Sequence, residues 1–282
     1  MPSAFRRPLM QFAERRVDSH AHIFARGLPL TQGHRHAPQY DALLPDYLDL
    51  LDSHGITHGV LTAPSFFGTD NSHLLSGLRA AAGRLRGTVI VDPQITSAEL
   101  EDLAYQHVTG IRLNFFRKPD DAVPNLRSPE YRALFERCAA LGWHVEIYGE
   151  GPRLARWLPA IAETGIDIVV DHFGSPDSSA GTNCTGFRTL LNGFTGGKLW
   201  AKLSAPYRIG TRLARDCARL LLEEGGPERL LWGSDWPWTQ NENGRSYAEC
   251  LRWLEEWIPD ATKRRIILGE TPRRLFHFPQ TD

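Results

Sequence analysis

The sequence predicts an α/β protein built as one (β/α)8 TIM barrel over residues 1–282. Three observations predict it. Eight short apolar runs alternate with helical periodicity along the chain, the pattern of repeated βα units. Several runs are apolar on both faces, as in Ile166-Asp-Ile-Val-Val-Asp171 and Thr88-Val-Ile-Val91, which suits strands of a parallel sheet covered on both sides. The 282 residues carry no linker, low-complexity tract or composition shift, and that length is enough for one barrel with its core.

The elements follow in order. Arg16–His22 is the first strand, and Pro45–His54 the first helix, stopped by Gly55. Strand His58–Ser65 leads to helix Asn71–Ala82, closed by Gly83. Strand Gly87–Asp92 is followed by helix Ser97–Val108, with Leu100, Leu103 and Ala104 on one face. After strand Gly110–Phe116, Ser128-Pro129-Glu130 opens a helix as an N-cap with proline in the first turn, and Gly142 ends it. Strand His144–Gly149 precedes helix Pro152–Thr164, which stops at Gly165. The sixth strand is Ile166–Phe173, and the stretch Phe173–Thr185, rich in Gly, Ser, Asp and Pro, reads as a long loop. Strand Lys198–Ala205 leads to helix Thr211–Glu224, and strand Arg229–Asp235 to helix Arg245–Ile258, followed by Pro259.

Bulk properties exclude several function classes. A formal charge of -1 creates no global field to draw nucleic acid or an anionic membrane. No apolar run reaches membrane-spanning length. The first residues, with Arg6, Arg7, Arg15 and Arg16, lack the apolar stretch of an export leader. Cys138, Cys184, Cys217 and Cys250 stand singly, as buried free thiols in a reducing compartment do. The expected location is the cytoplasm. Nothing in the sequence marks an oligomeric interface.

Barrel chemistry gathers at the C-terminal ends of strands, and there the polar residues crowd. The first strand ends in His20-Ala-His22. Residues two apart on a strand share a face, so both imidazoles, with Asp18 below them, suit a metal, an anion or a polarised carbonyl. Ser65 closes the second strand. Arg112 and Asn114 share a face of the fourth, with Arg117 and Lys118 just beyond. The fifth carries Glu146 and Tyr148, the sixth Asp171-His172, and the seventh Lys202 and Ser204 ahead of Tyr207-Arg208. Trp232-Gly-Ser-Asp235-Trp-Pro closes the eighth. Each has a plainer reading alone: His172 as a structural histidine, Tyr148 as core, Arg112 as the partner of Asp92 or Glu146. Together they outweigh those readings. His34, His36, His54, His58, His73, His107 and His277 have no matched spacing and read as structural, and the charged runs near 252–264 as solvated helix faces.

Asp18-Ser-His-Ala-His22, Asp171-His172 and Trp232-Gly-Ser-Asp235-Trp-Pro237 resemble the amidohydrolase superfamily, from the first strand to the last. Gly110-Ile-Arg-Leu-Asn114, Lys202-Leu-Ser204 and Tyr207-Arg208 are similar to its lactonase branch, typified by 2-pyrone-4,6-dicarboxylate lactonase. Metal-dependent superfamily members commonly place a carboxylated lysine on strand four and a histidine at the end of strand five. Here those places hold Arg112 or Asn114, and Tyr148, which are poor company for a divalent ion.

The resemblance implies a lactonase that needs no cofactor. Asp235 would take a proton from water, while His20, His22 and His172 donate hydrogen bonds around the carbonyl and water. Arg112, Arg208, and Arg117 or Lys118 would clamp carboxylates, with Tyr148 and Ser65 adding hydrogen bonds. The expected partner is then a small dicarboxylate lactone. Rival readings are a sugar-acid lactonase assisted by one zinc on His20, His22 and Asp235, with or without Glu146; a decarboxylase on a related scaffold; and a non-catalytic dicarboxylate-binding barrel.

Overall fold

The structure, a computed structural model, describes residues 15–34 and 36–280; Arg6 and Arg7 lie outside the described residues. Eight parallel strands pair in chain order: β1 (Val17–Ala21), β2 (His58–Thr62), β3 (Leu85–Val89), β4 (Val108–Asn114), β5 (His144–Tyr148), β6 (Asp167–Val170), β7 (Leu199–Leu203) and β8 (Leu230–Trp232). The ring closes just past β8. Ala21 bridges Trp236 in parallel, His22 N donates to Trp236 O (2.8 Å), and Asp235 N donates to His20 O (2.9 Å). The fold is a TIM barrel.

Helices separate the strands: α1 (Leu44–Ser53), α2 (Ser72–Ala80), α3 (Ser97–Tyr105), α4 (Pro129–Ala140), α5 (Gly151–Ala162), α6 (Thr185–Gly193), α7 (Thr211–Gly225) and α8 (Tyr247–Trp257). Capping follows the sequence at α4, where the Ser128 hydroxyl accepts from Tyr131 N and Pro129 opens the helix. Helix α3 starts at Ser97 as expected, capped by Thr96 in a reciprocal box with Glu99. Helix α6 has no counterpart in the sequence reading. Thr-Gly-Phe-Arg-Thr-Leu-Leu-Asn-Gly is poor in helix formers, and packing holds it: a Cβ on Gly186 would sit 1.7 Å from the carbonyl oxygen of Gly151 in α5.

The N-terminal end of the barrel is sealed by the tail after α9 (Ala261–Arg265) and α10 (Thr271–Leu275). Leu275, Phe276 and Phe278 cluster with Val17, Val60, Val169 and Leu231. Phe276 meets His144 edge-on and Phe278 meets His58, so both histidines serve packing, as expected for His58. Gly110 faces His144 in the β4–β5 register, and any Cβ there would strike the imidazole at 2.4 Å. All four cysteines are buried and unpaired. Among the described residues, no helix is long and apolar enough to cross a membrane.

Most strands stop short of the rim. β2 ends at Thr62 and β8 at Trp232, leaving Ser65 in a 3-10 turn and Asp235 in a loop. His172, Ala205 and Asp235 take φ values of 51°, 51° and 58°. That left-handed region is costly for residues with a Cβ. It turns the chain sharply at the ends of three neighbouring strands, where the polar side chains are needed.

Candidate active site

The mouth of the barrel holds a pocket lined by His22, His36, Ser65, Arg112, Asn114, Phe116, Tyr148, His172, Arg208, Asp235, Thr239 and Gln240, with Pro64 and Phe66. Asp235, itself buried, is one of the lining residues. Tyr207 Oη donates to Asp235 Oδ2 (2.6 Å), and Arg208 donates to the same oxygen through Nη2 (2.8 Å) and Nε (3.2 Å). The other oxygen, Oδ1, is buried and has no hydrogen-bond partner among the described residues. It faces His20 Nε2 at 3.5 Å, His22 Nε2 at 3.8 Å and His172 Nε2 at 3.8 Å. One carboxylate oxygen is thus clamped and the other is aimed at three imidazoles.

Electrostatics keep these groups in defined states. Burial alone would raise the Asp235 carboxyl, but the Arg208 guanidinium, with His172, His20 and His22, outweighs it and holds the group well below the usual carboxylate range. Burial, with Arg112 nearby, pulls His22 down to about 4, and burial brings His172 to about 4 against the pull of Asp235. The imidazoles are therefore neutral at pH 7. His22 Nδ1 lies 2.6 Å from the Thr62 carbonyl oxygen. A carbonyl only accepts, so the His22 proton sits on Nδ1 and Nε2 carries a lone pair. This corrects the expectation that all three histidines donate toward the centre: His22 accepts there. His172 Nδ1 meets Ser204 Oγ at 2.8 Å, and that hydroxyl can donate or accept.

Beneath this layer lies a second, fully buried polar layer. Lys202 Nζ binds Glu146 Oε2 and reaches His20 Nδ1 at 2.9 Å and Asp171 Oδ1 at 3.3 Å. Arg112 meets Asp171 Oδ2 at 3.3 Å and Glu146 Oε1 at 3.4 Å, and donates to Ala63 O at 2.9 Å. Two cations thus balance two acids. Burial, with the Asp171 charge beside it, pushes Glu146 up to about 7; Asp171, despite its burial, is held well below the usual range by Lys202. Lys202 in β7 and Ser204 just past its end, two residues apart, both turn inward. Of the two partners expected for Arg112, Asp92 and Glu146, the structure shows Glu146, and Asp171 is the second.

The structure separates some residues that the sequence grouped. Arg208, expected to hold substrate, is bonded to Asp235. The exposed Arg117 and Lys118 line an adjoining cavity that shares Ser65, Arg112 and Asn114 with the central pocket. Asp18 does not sit under the histidines. A register shift between Asp18 and Ala21 reverses the alternation, and the Asp18 carboxylate instead accepts from Ser234 N (2.8 Å), Ser234 Oγ (2.6 Å) and Tyr247 Oη (2.9 Å). His36, read as structural, lines the pocket; its lack of matched spacing gave no signal. Thr239 and Gln240 follow the Trp-Pro turn closely, and that proximity could have flagged them.

A divalent ion is what related barrels suggest for such a cluster, and the donor set can be tested against it. His20 Nε2, His22 Nε2 and Asp235 Oδ1 converge closely enough to surround one ion. Histidine ligands, however, normally give their second ring proton to a carboxylate or carbonyl. His22 does so, whereas His20 Nδ1 receives an ammonium. Arg208 already claims the carboxylate, and Arg112 adds further positive charge. The shape suits a cation, but the donor chemistry does not fit one.

Residues 17–278 match the model of the amidohydrolase family. The chain belongs to that family. This amidohydrolase is 30% identical to the 2-pyrone-4,6-dicarboxylate hydrolase of Comamonas testosteroni, over 92% of its own length and 89% of the relative's. It is also 30% identical to the 4-sulfomuconolactone hydrolase of Rhizobium radiobacter, with the same coverage of both chains. Among solved structures, a Pseudomonas putida protein assigned as a 2-pyrone-4,6-dicarboxylic acid hydrolase shares 41% identity and a TM-score of 0.87. That match covers 95% of this amidohydrolase and 99% of the other chain.

Proposed function

We propose that this amidohydrolase hydrolyses a small carboxylated lactone of the 2-pyrone-4,6-dicarboxylate type, with Asp235 and no metal. One observation carries the reading: a buried carboxylate oxygen without a hydrogen-bond partner, Asp235 Oδ1, faces three neutral imidazoles while its twin is clamped. Water held between Asp235 Oδ1 and the His22 Nε2 lone pair attacks the lactone carbonyl and passes its proton to Asp235. His20 and His172 offer Nε2 protons to the carbonyl oxygen as it gains negative charge, Ser204 donating to His172 Nδ1. The acyl carbon–ring oxygen bond then breaks. The ring oxygen leaves as an enol, taking the proton from Asp235, and the acyl carbon becomes a carboxylic acid that ionises in water.

A carboxylate as acidic as Asp235 is a weak base, so the leaving group must help. A pyrone enolate leaves readily. Arg208 also supports a carboxylated substrate, because a substrate carboxylate competes with Asp235 for its fork of N–H donors. Losing that partner raises the basicity of Asp235 when substrate is present. Arg117 and Lys118 across the adjoining cavity suit a second anionic group. Ser65, which borders both cavities, and Tyr148, whose buried hydroxyl has no hydrogen-bond partner among the described residues, are placed to donate to the ring. The second reading, a sulfonated muconolactone, is favoured by equal identity to the Rhizobium radiobacter enzyme; a sulfonate meets the same cations.

The deciding experiment follows ring absorbance as purified protein acts on 2-pyrone-4,6-dicarboxylate and 4-sulfomuconolactone, each with and without a chelator. Ring opening of the pyrone that is unchanged by chelator is the expected result. Opening of the sulfonated lactone alone selects the second reading. Activity abolished by chelator and restored by zinc overturns the metal-free mechanism and revives the zinc-assisted lactonase.

A further inference from the structure

Lys202 is fully buried, and no step of the proposed reaction uses it. Its place is nonetheless specific. The side chain crosses the barrel from β7 to reach His20 Nδ1 at 2.9 Å, with Glu146 and Asp171 on its other sides. An ammonium has donors only, so His20 Nδ1 accepts. A neutral imidazole accepting at one nitrogen carries its proton on the other. Without substrate the hydrogen bonds run in one direction: Lys202 Nζ to His20 Nδ1, His20 Nε2 to His22 Nε2 (3.2 Å), and His22 Nδ1 to the Thr62 carbonyl (2.6 Å); substrate and water displace the middle bond, taking the His20 proton and the His22 lone pair.

We propose that Lys202 is a positioning residue that fixes the His20 proton on Nε2, so that the paired histidines present one N–H and one lone pair instead of two lone pairs. The pair then serves a reaction centre that needs a donor and an acceptor, and it disfavours a divalent cation, which needs lone pairs. The catalytic consequence rests on the lactonase reading; the tautomer and the metal preference do not.

The neighbours show what removal of Lys202 would do. Asp171 Oδ1 lies 3.3 Å and Glu146 Oε1 3.6 Å from His20 Nδ1, and neither oxygen has a hydrogen-bond partner among the described residues. Without the ammonium, either carboxylate accepts an Nδ1 proton, and His20 Nε2 turns a lone pair inward. That is the carboxylate–histidine arrangement of metal ligands. The cluster of His20, His22 and Asp235 would then be prepared for zinc by a change that touches none of the three.

The test uses the full chain labelled with 15N in histidine, as wild type, as Lys202→Met and as Lys202→Met with Glu146→Gln. The double variant removes one charge of each sign and so protects the fold. Long-range 1H–15N spectra should give His20 protonated on Nε2 in the wild type and on Nδ1 in the variants. Equilibrium dialysis against zinc alone should show at least one variant binding one zinc per chain 10- to 100-fold more tightly than wild type, the usual reach of an outer-shell partner. With a hydrolysed lactone, kcat should fall in the variants while KM holds. A wild-type His20 protonated on Nδ1 overturns the proposal, whether or not the variants fold. So does equal zinc affinity across folded proteins. Neither result depends on which lactone is the substrate, so a failed hydrolysis assay and a failed tautomer assignment remain distinct.

Discussion

Asp235 and the histidines around it make the sharpest predictions at the scale of single residues. Asp235→Asn keeps the shape but removes the proton acceptor, so kcat for the hydrolysed lactone should fall about 1,000-fold, within the range of general-base catalysis. KM should hold or decrease, because Arg208 loses its carboxylate partner and is freer to bind substrate. Steady-state kinetics on the variant check this, and a kcat within tenfold of wild type would remove Asp235 from its role. A second expectation concerns acid. His22 and His172 titrate at about 4 in the fold against about 6.5 unfolded. Between those values the unfolded chain binds more protons, so stability rises with pH and is lost as pH falls from 6.5 toward 4, by at most about 3 kcal/mol per histidine. The urea midpoint should drop between pH 7 and 4.5, and His172→Gln should flatten that slope. An identical slope in the variant would mean that other buried groups set the acid limit.

Elements show both what the sequence could reveal and what it could not. Strand apolarity, glycine stops and the Ser128-Pro129 cap located most strands and helices, because these are local preferences that the barrel reinforces. The rim residues were legible for the same reason: polar side chains at the ends of apolar runs have few structural uses. Three features depend on contacts between distant segments. Helix α6 exists because Gly186 lets it press on α5. Asp18 leaves the histidine face because β1 is bulged. Arg208 and Arg112 are cations in the sequence, but only the fold shows that Asp235 occupies the first and Asp171 joins Glu146 on the second. The α5–α6 contact yields a direct test. Gly186→Ala forces a methyl to within 1.7 Å of the Gly151 carbonyl oxygen, so the helices must separate, at a cost of about 3 kcal/mol, the upper end of ordinary overpacking. Thermal unfolding should show a marked loss of Tm, whereas Gly196→Ala, where a Cβ meets nothing within 4 Å, should change Tm little. Equal Tm values for the two would place α6 outside the stabilising core.

At the scale of the whole molecule, the catalytic geometry depends on how the barrel is closed. The first and last strands meet through few backbone contacts, since β8 ends at Trp232 and the seam continues in a loop. Asp18 strengthens that seam from outside the pocket. Its carboxylate accepts from Ser234 N, Ser234 Oγ and Tyr247 Oη, tying β1 to the loop after β8 and to α8. His20 and Asp235 sit on the two sides of this seam, so the Asp18 bonds set their spacing from two and one residues away. Asp18→Ala leaves Ser234 N and the Tyr247 hydroxyl buried without an acceptor. The cost should be about 3 kcal/mol, since hydrogen bonds to a buried charge exceed neutral ones. Activity should fall more than stability alone explains, because an Ångström of drift between His20 and Asp235 is expensive for a preorganised site. Ser234→Ala removes one of the three bonds that cross the seam and keeps the backbone donor, so it should show the same pattern weakly. Measured at a temperature where both variants remain folded, kcat should decline in the order wild type, Ser234→Ala, Asp18→Ala, with KM nearly constant. A folded Asp18→Ala protein with wild-type kcat would show that the seam holds the barrel together without setting the geometry of its mouth.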